Sequence, residues 1–376
     1  MVGNSERSGF PIDFFVSLSA AAQSAFDNLQ GAAKSRELAR SVADLSGSFN
    51  RKIIGGATYW YYQQKNPDGK PSQIYLGRES PEILQLIDIR KNPDRIASAA
   101  QLARLSASAV ELGAASIIPK HGKVIRKLSE SGFFKAGGIL VGTHAFLAYQ
   151  NYLGVKWGDA NHTMDLDFAH PGKNIALALP NVVNVDVKTA LESLQMGFLP
   201  VQGQARFRKS DEPDFDVDFL TSRRSDDDAP IPNESLGVTL QPLKFMELAF
   251  EQSFQTVLLL SDGPLVVTVP RPEYFAFHKI IVSAERKTTD PTKARKDAIQ
   301  SVAVIELFLE RNPVPLTDAY KQVLNRGAGW KKRLLQGITA VDLMAPSIHL
   351  ASRLEEAVKR MDEDESPEGD DRPTAK

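Results

Sequence analysis

Five aspartates in two period-two runs carry the chemistry this sequence has to offer. Met164-Asp165-Leu166-Asp167-Phe168 and Asp214-Phe215-Asp216-Val217-Asp218-Phe219 alternate carboxylate with apolar residue. On a strand, the acids of each run share one face and the apolar residues share the other. A carboxylate within an apolar-flanked strand is costly without a compensating charge. The same spacing at 226/228 and 362/364 falls in polar loop and tail, where no such demand arises. Magnesium takes a few carboxylates together with water and phosphate oxygens, and two such ions can clamp the attacking and leaving oxygens of a phosphoryl displacement. Asp165 and Asp167 are spaced to bridge a two-Mg²⁺ site, with Asp216 or Asp218 available as the third carboxylate. The competing account pairs these acids with Arg206, Arg208 and Lys209 across a hairpin.

Two other groups of residues suit phosphate. Gly142-Thr143 follows the apolar strand Ile139 to Val141 and opens a helix, whose first N–H groups and positive dipole end can receive an anion. In RPEYFAFHKIIVSAERKTTDPTKARKDAIQ, Lys279 and Arg286 lie seven apart on one helix face, and Lys293 and Lys296 open the next helix beside Asp297. Cations converging from several elements are what a triphosphate requires, although a solvated basic face is the ordinary account of such a run. His144 follows the Gly-Thr turn and His162 precedes the first aspartate run. A lone histidine more often caps or packs, and neither is assigned as a base. The absence of a Walker loop, a GxGxxG and a His-Glu-x-x-His argues against P-loop, dinucleotide and zinc-hydrolase chemistry.

The elements that must position these residues read as an α+β chain: a small mixed sheet with helical and β-hairpin accessory regions. Ser19 to Leu45 has helical spacing. Tyr59 to Gln63 and Gln73 to Leu76 flank Asn66-Pro67-Asp68-Gly69 and predict a β-hairpin. Its tyrosines and Trp60, beside Lys65, Lys70 and Arg78, have the make-up of a single-stranded nucleic acid platform. Aromatic cross-strand packing gives the same composition, and that reading carries more weight. Helices follow from Ser80-Pro81 to Leu112, broken at Asn92-Pro93, and over Val124 to Leu128. A further helix covers Asp186 to Met196, and two strands flank Asp211-Glu212-Pro213. The loop 225–235 marks a boundary. A second hairpin joins Thr256 to Leu260 with Leu265 to Val269, and helices continue from Pro272 to Met361. This predicts four regions: 1–115 helical with the aromatic hairpin, 116–230 the catalytic core, 231–361 mostly helical, and 362–376 a disordered acidic tail.

Composition is that of an ordinary globular protein, with 376 residues, a net charge of −1, 42% hydrophobic residues and no cysteine. Disulfides, thiolate metal sites and cysteine nucleophiles are excluded. Without a global basic field, any nucleic acid must be held by local patches. No run is long and apolar enough to span a bilayer, and MVGNSERSGF lacks the apolar core of a signal peptide. The expectation is a cytoplasmic chain with no membrane partner.

Taken in order, the strand, Gly142-Thr143, the helix, Thr163-Met164-Asp165-Leu166-Asp167-Phe168 and Val217-Asp218-Phe219-Leu220-Thr221 resemble the DNA-polymerase-β-type nucleotidyltransferase superfamily. His278-Lys279 and Lys293-x-x-Lys296-Asp297 resemble the basic segment of a bacterial branch similar to the nucleotidyltransferase toxins of abortive-infection systems. The resemblance spans about Phe133 to Leu309. It departs in the longer spacing from Thr143 to Asp165 and in threonine replacing the usual serine. It implies transfer of a nucleoside monophosphate from a magnesium-bound nucleoside triphosphate to an acceptor hydroxyl. In that scheme Asp165 and Asp167 hold both metals and Asp218, rather than Asp216, completes one of them. Gly142 and Thr143 contact the nucleotide, while Lys279, Lys293 and Lys296 neutralise the triphosphate. The aromatic hairpin tilts the acceptor towards RNA over a protein or small molecule. A non-catalytic nucleotide sensor or interaction module is the alternative, and no motif indicates whether a partner protein regulates the chain.

Overall fold

The computed structural model describes residues 13–38, 48–65, 71–81, 83–84, 87–88, 93–158, 162–172, 185–223, 228–286 and 290–365. The turn at 66–69, the continuation of the first helix to Leu45, and Lys70 lie outside them. The fold is α+β, and the chain divides into two compact units: residues 17–156 with 162–270, and residues 1–16, 157–161 and 271–376.

The larger unit starts, after the short strand β1 (Phe15–Ser17), with α1 (Ala20–Leu38). Then comes an antiparallel three-stranded sheet of β2 (Ser48–Ile54), β3 (Ala57–Lys65) and β4 (Pro71–Arg78). β3 and β4 are the predicted aromatic hairpin. β2 is additional, turning on Gly55 and Gly56, both at positive φ, which glycine adopts freely. Next, α2 (Pro93–Glu111) begins at the proline expected to break the helical stretch, and α3 (Pro119–Glu130) extends well beyond the predicted five residues. β5 (Ile139–Leu140) leads directly into α4 (Gly142–Leu153), which ends on Gly154 in the left-handed conformation.

After β6 (Val155–Trp157), the strands of the central sheet follow. They are β7 (Leu166–Ala169), β8 (Phe198–Pro200), β9 (Arg206–Lys209), β10 (Glu212–Ser222), β11 (Ile231–Asn233) and β12 (Val238–Leu243). The helix α5 (Val187–Ser193) lies between β7 and β8 in the chain, with Asp186 as its N-cap. The sheet runs β11-β12-β10-β7-β5, with β9 on the first half of β10 and β8 beyond it. β11 and β12 extend this sheet past the 225–235 loop.

The central strand, β10, is eleven residues long and pairs with three neighbours. It is parallel to β7 and β12 and antiparallel to β9. Its apolar face builds the core under the sheet: Phe215, Val217 and Phe219 are fully buried, as are Leu166 and Phe168 on β7. Phe168 and Phe219 stack with centroids 5.8 Å apart, and Phe133 meets both edge-on. After α6 (Glu247–Glu251) the second hairpin, β13 (Ser253–Leu260) with β14 (Gly263–Pro270), pairs along its whole length. Its buried side chains pack on Phe26, Leu29 and Leu102 of α1 and α2.

The smaller unit is mainly helical: α7 (Pro272–Arg286), α8 (Pro291–Arg311), α9 (Val314–Leu324), α10 (Ala328–Met344) and α11 (Leu350–Glu365). α10 crosses α7 closely, since a Cβ at Gly337 would lie 2.6 Å from the Ile280 carbonyl oxygen. α11 continues to Glu365, past the predicted end at Met361, and Asp362 forms an ion pair with Lys321. No single described helix is long and apolar enough to cross a membrane.

Candidate active site

Register brings the acids of the two runs together. In the parallel ladder Asp218 of β10 stands opposite Asp167 of β7, and in the antiparallel ladder it stands opposite Arg206 of β9. Residues at one register level on adjacent strands point to the same face. Asp167, Asp218 and Arg206 therefore form a row across the polar face, above the phenylalanine core. Asp165 ends the loop entering β7, and its charge acts on both Arg206 and Arg208. The spacing alone placed Asp165 and Asp167 on one strand; in the structure the strand itself begins at Leu166.

Arginines answer two of these carboxylates. Arg206 grips Asp218 with two parallel hydrogen bonds, Nε to Oδ1 at 2.6 Å and Nη2 to Oδ2 at 2.8 Å. Its Nη1 also lies 3.0 Å from Asp216 Oδ2. Arg208 holds Asp216 in a second fork at 2.8 and 2.9 Å. Paired forks of this kind are the strong, oriented form of a charge-assisted hydrogen bond. The hydrogen bond to Asp218 holds the Arg206 guanidinium above its ordinary pKa, with the charges of Asp218, Asp216 and Asp165 adding to it. The hairpin pairing set aside in favour of metal at the sequence level is thus present for Asp216 and Asp218. Lys209 instead pairs with Asp211.

The other carboxylate of the row, Asp167, is placed by the helix behind it. Val141 donates its N–H to the Asp167 carbonyl at 3.0 Å, which sets α4 to start beside β7. Gly142 has φ +62°, and a Cβ there would lie 2.1 Å from Asp167 Oδ2. Only glycine admits the carboxylate at that distance. The first turn of α4, predicted to cradle a phosphate, thus has Asp167 against it, and a carboxylate at a helix N-terminus is favoured by the helix dipole. Thr143 and His144 are both buried in that turn.

The oxygen donors of Asp165 and Asp167 are of the chemical type magnesium takes, whereas both oxygens of Asp218 are engaged by Arg206. Among the described residues no group of three acids or histidines is arranged to hold a metal ion.

Under the site lies a pair of buried histidines. His144 Nε2 is 3.0 Å from His121 Nδ1, and the His121 ring packs 4.8 Å from the Phe215 ring. Burial and the neighbouring Lys120 push His121 down to about 4, against a smaller opposing pull from Glu212. Lys120 itself pairs with Glu212 and lies over the Phe215 ring. That hydrogen bond holds the Glu212 carboxyl below its usual range. Lys120, His121 and Glu212 were not legible as site-adjacent, because Lys120 and Glu212 meet across 92 positions of chain. His162 is exposed.

The predicted triphosphate cations belong to the smaller unit. Lys279 of α7 is buried and donates to Asp297 of α8, whose other oxygen accepts from Arg286 at 2.7 Å. Burial alone would raise the Asp297 carboxyl, yet Lys279 and Arg286 hold it below its ordinary value. Lys293 is exposed in the first turn of α8 and Lys296 half-buried. Asp290 caps that helix by accepting from the Lys293 N–H at 3.0 Å.

A row of strand carboxylates beside a glycine-opened helix, on the small mixed sheet of an α+β chain, is an arrangement suited to phosphoryl chemistry. A family model described as nucleotidyltransferase matches residues 119–325, more than half of the chain. The chain belongs to that family, whose members are transferases of phosphorus-containing groups and use nucleotides as substrates. No curated protein and no solved structure matches it.

Proposed function

We propose that this chain transfers a nucleoside monophosphate from a nucleoside triphosphate to an acceptor hydroxyl with the help of magnesium, and that the acceptor is RNA. The observation that carries the reading is the register of Asp167 with Asp218, beside Asp165 and the Gly142-opened helix. Magnesium at these acids would polarise the phosphoryl group and lower the pKa of the attacking hydroxyl. The chain's own residues do the positioning. Asp165 and Asp167 hold the cation, and the start of α4 fixes Asp167 in place. Asp218 faces the acceptor side once Arg206 releases it. Branch membership belongs to the same proposal: the helical pair carrying His278-Lys279 and Lys293-x-x-Lys296-Asp297 supports likeness to the bacterial abortive-infection transferases.

The test is pyrophosphate release and label transfer from each radiolabelled triphosphate with Mg²⁺, on total RNA and on a protein lysate. Asp167→Ala is expected to lower transfer by about 10³-fold, the scale of losing a group that stabilises charge in the transition state. An Asp167→Ala protein as active as wild type would remove the proposal, and label on protein alone would move the acceptor from RNA.

A specific observation favours a second reading. Because Arg206 and Arg208 already neutralise Asp218 and Asp216, the site has a built-in substitute for metal, as a nucleotide-binding sensor without turnover would. Triphosphate binding with no pyrophosphate release across acceptors would select it.

A further inference from the structure

The three-stranded sheet β2-β3-β4 lies outside the residues the family match covers. Its two faces differ. On one, Tyr62 is buried against Phe49 with ring centroids 5.4 Å apart, and this face meets the demand for a local core. On the other, Tyr59, Tyr61 and Tyr75 form a connected set, with centroids 6.3 Å apart for Tyr59–Tyr75 and 5.4 Å for Tyr61–Tyr75. Tyr75 is 57% exposed.

The charged residues within the strands are of one sign, with Arg51 on the opposite face beside Trp60, whose Nε1 donates to Glu79 just after β4 at 3.0 Å. Strands Ser48–Ile54, Ala57–Lys65 and Pro71–Arg78 contain Arg51, Lys52, Lys65 and Arg78 and no acidic residue, in a chain whose net charge is −1. Lys52 stands opposite Tyr59, its ammonium lies 4.5 Å from the Tyr61 centroid, and it donates to Gln73 Oε1 at 2.8 Å. Arg78 stands opposite Tyr59 on the other side. Asn50 and Gln63 add side-chain amides near the same rings and hydrogen bond to each other. Stacking rings, backbone-neutralising cations and amides able to engage a 2′-hydroxyl are the parts with which proteins hold unpaired RNA.

From this convergence we propose that the Tyr59–Tyr61–Tyr75 face is a docking platform for single-stranded RNA, with bases on the tyrosines and phosphates at Lys52 and Arg78. This deepens the transferase reading by naming where the acceptor strand is held, and it rests on that reading only for the strand's fate. Binding itself needs neither nucleotide nor magnesium.

The experiment is fluorescence anisotropy of the full chain with labelled twelve-residue single-stranded RNA, the same sequence as DNA, and an RNA duplex, without triphosphate. Tyr75→Ala and Tyr61→Ala are expected to weaken RNA binding by about tenfold each, while Tyr75→Phe keeps it, since the ring and not the hydroxyl stacks. Lys52→Gln should reduce the slope of log K against log salt by about 0.7. Circular dichroism matching wild type shows that the variants are folded. No RNA binding by the wild type, equal affinity for duplex or DNA, or unchanged affinity in Tyr75→Ala would each overturn the proposal. Because no triphosphate is present, these outcomes are independent of whether transfer occurs.

Discussion

Two clusters of acid and base in this molecule use the same pairing to opposite ends. On the sheet, Asp216 and Asp218 are held by Arg206 and Arg208, whose side chains are 32% and 44% exposed. In the helical unit, Asp297 is held by Lys279 and Arg286. The carboxylates are sealed in both clusters, at 7% and 14% for Asp216 and Asp218 and 5% for Asp297. Arg286 is 38% exposed, so the clusters differ in one cation, Lys279, which is sealed to 11%. In the first pairing both cations reach water, so an arginine can swing out into solvent and leave its carboxylate to another cation. In the second, Lys279 cannot, because its release would leave a charge buried without its partner. A shared residue vocabulary thus supports a candidate site in one place and a structural clamp in the other. Solvent access makes the difference.

Breaking the clamp should have the largest effect. Asp297→Ala leaves the Lys279 ammonium buried and unpaired, and is expected to lower stability by about 3–5 kcal/mol, read from chemical denaturation. The double variant Asp297→Leu with Lys279→Met should recover much of that loss. If the double variant is no more stable than the single one, the burial argument fails.

Acid should separate the clusters further. Each adjoins a histidine kept neutral: burial pushes His121 down to about 4, and desolvation with the neighbouring Lys279 pushes the half-buried His278 down to about 3. Their folded pKa values lie below the unfolded value of about 6.5, so between these limits the unfolded chain takes up the proton first. The stability they contribute is complete above pH 6.5. It falls as the pH drops, by up to about 1.4 kcal/mol per pH unit for each histidine. The loss ends near pH 4 for His121 and continues to about pH 3 for His278. Denaturation profiles of His121→Phe and His278→Phe against wild type measure each contribution, and a slope unchanged by either substitution would contradict the assignment.

Loosening the open pairing should have the smallest effect on the fold and a visible one on magnesium. In Arg206→Gln, removal of a positive charge beside Asp165, Asp216 and Asp218 is expected to lower the Mg²⁺ concentration for half-maximal transfer severalfold, while the fall in melting temperature from unpairing Asp218 stays smaller than in Asp297→Ala. A higher magnesium requirement in this variant would mean that Arg206 acts on the substrate and does not compete with the metal.

Much of this was legible in the chain. Period-two alternation placed the acids of 214–219 on a strand with Phe215 and Phe219 inward, and turn residues placed both hairpins. Pro93 is local punctuation for a helix end. Other elements were not legible. β2 reads SFNRKII, with charges amid its apolar residues, and forms because β3 supplies its partner. β11 and β12 follow a proline-containing loop that looks like a boundary, yet β12 is ordered by pairing beside β10. Local pattern decides which residues can be a strand and which face is apolar, because it depends only on the neighbours two and four positions away. It does not decide which strands meet. That Asp218 stands between Asp167 and Arg206, that Asp297 receives Lys279, and that His121 touches His144 are matters of register and packing across tens of residues. The tertiary structure alone determined them, because a cross-strand or interhelical partner is chosen by the fit of whole faces.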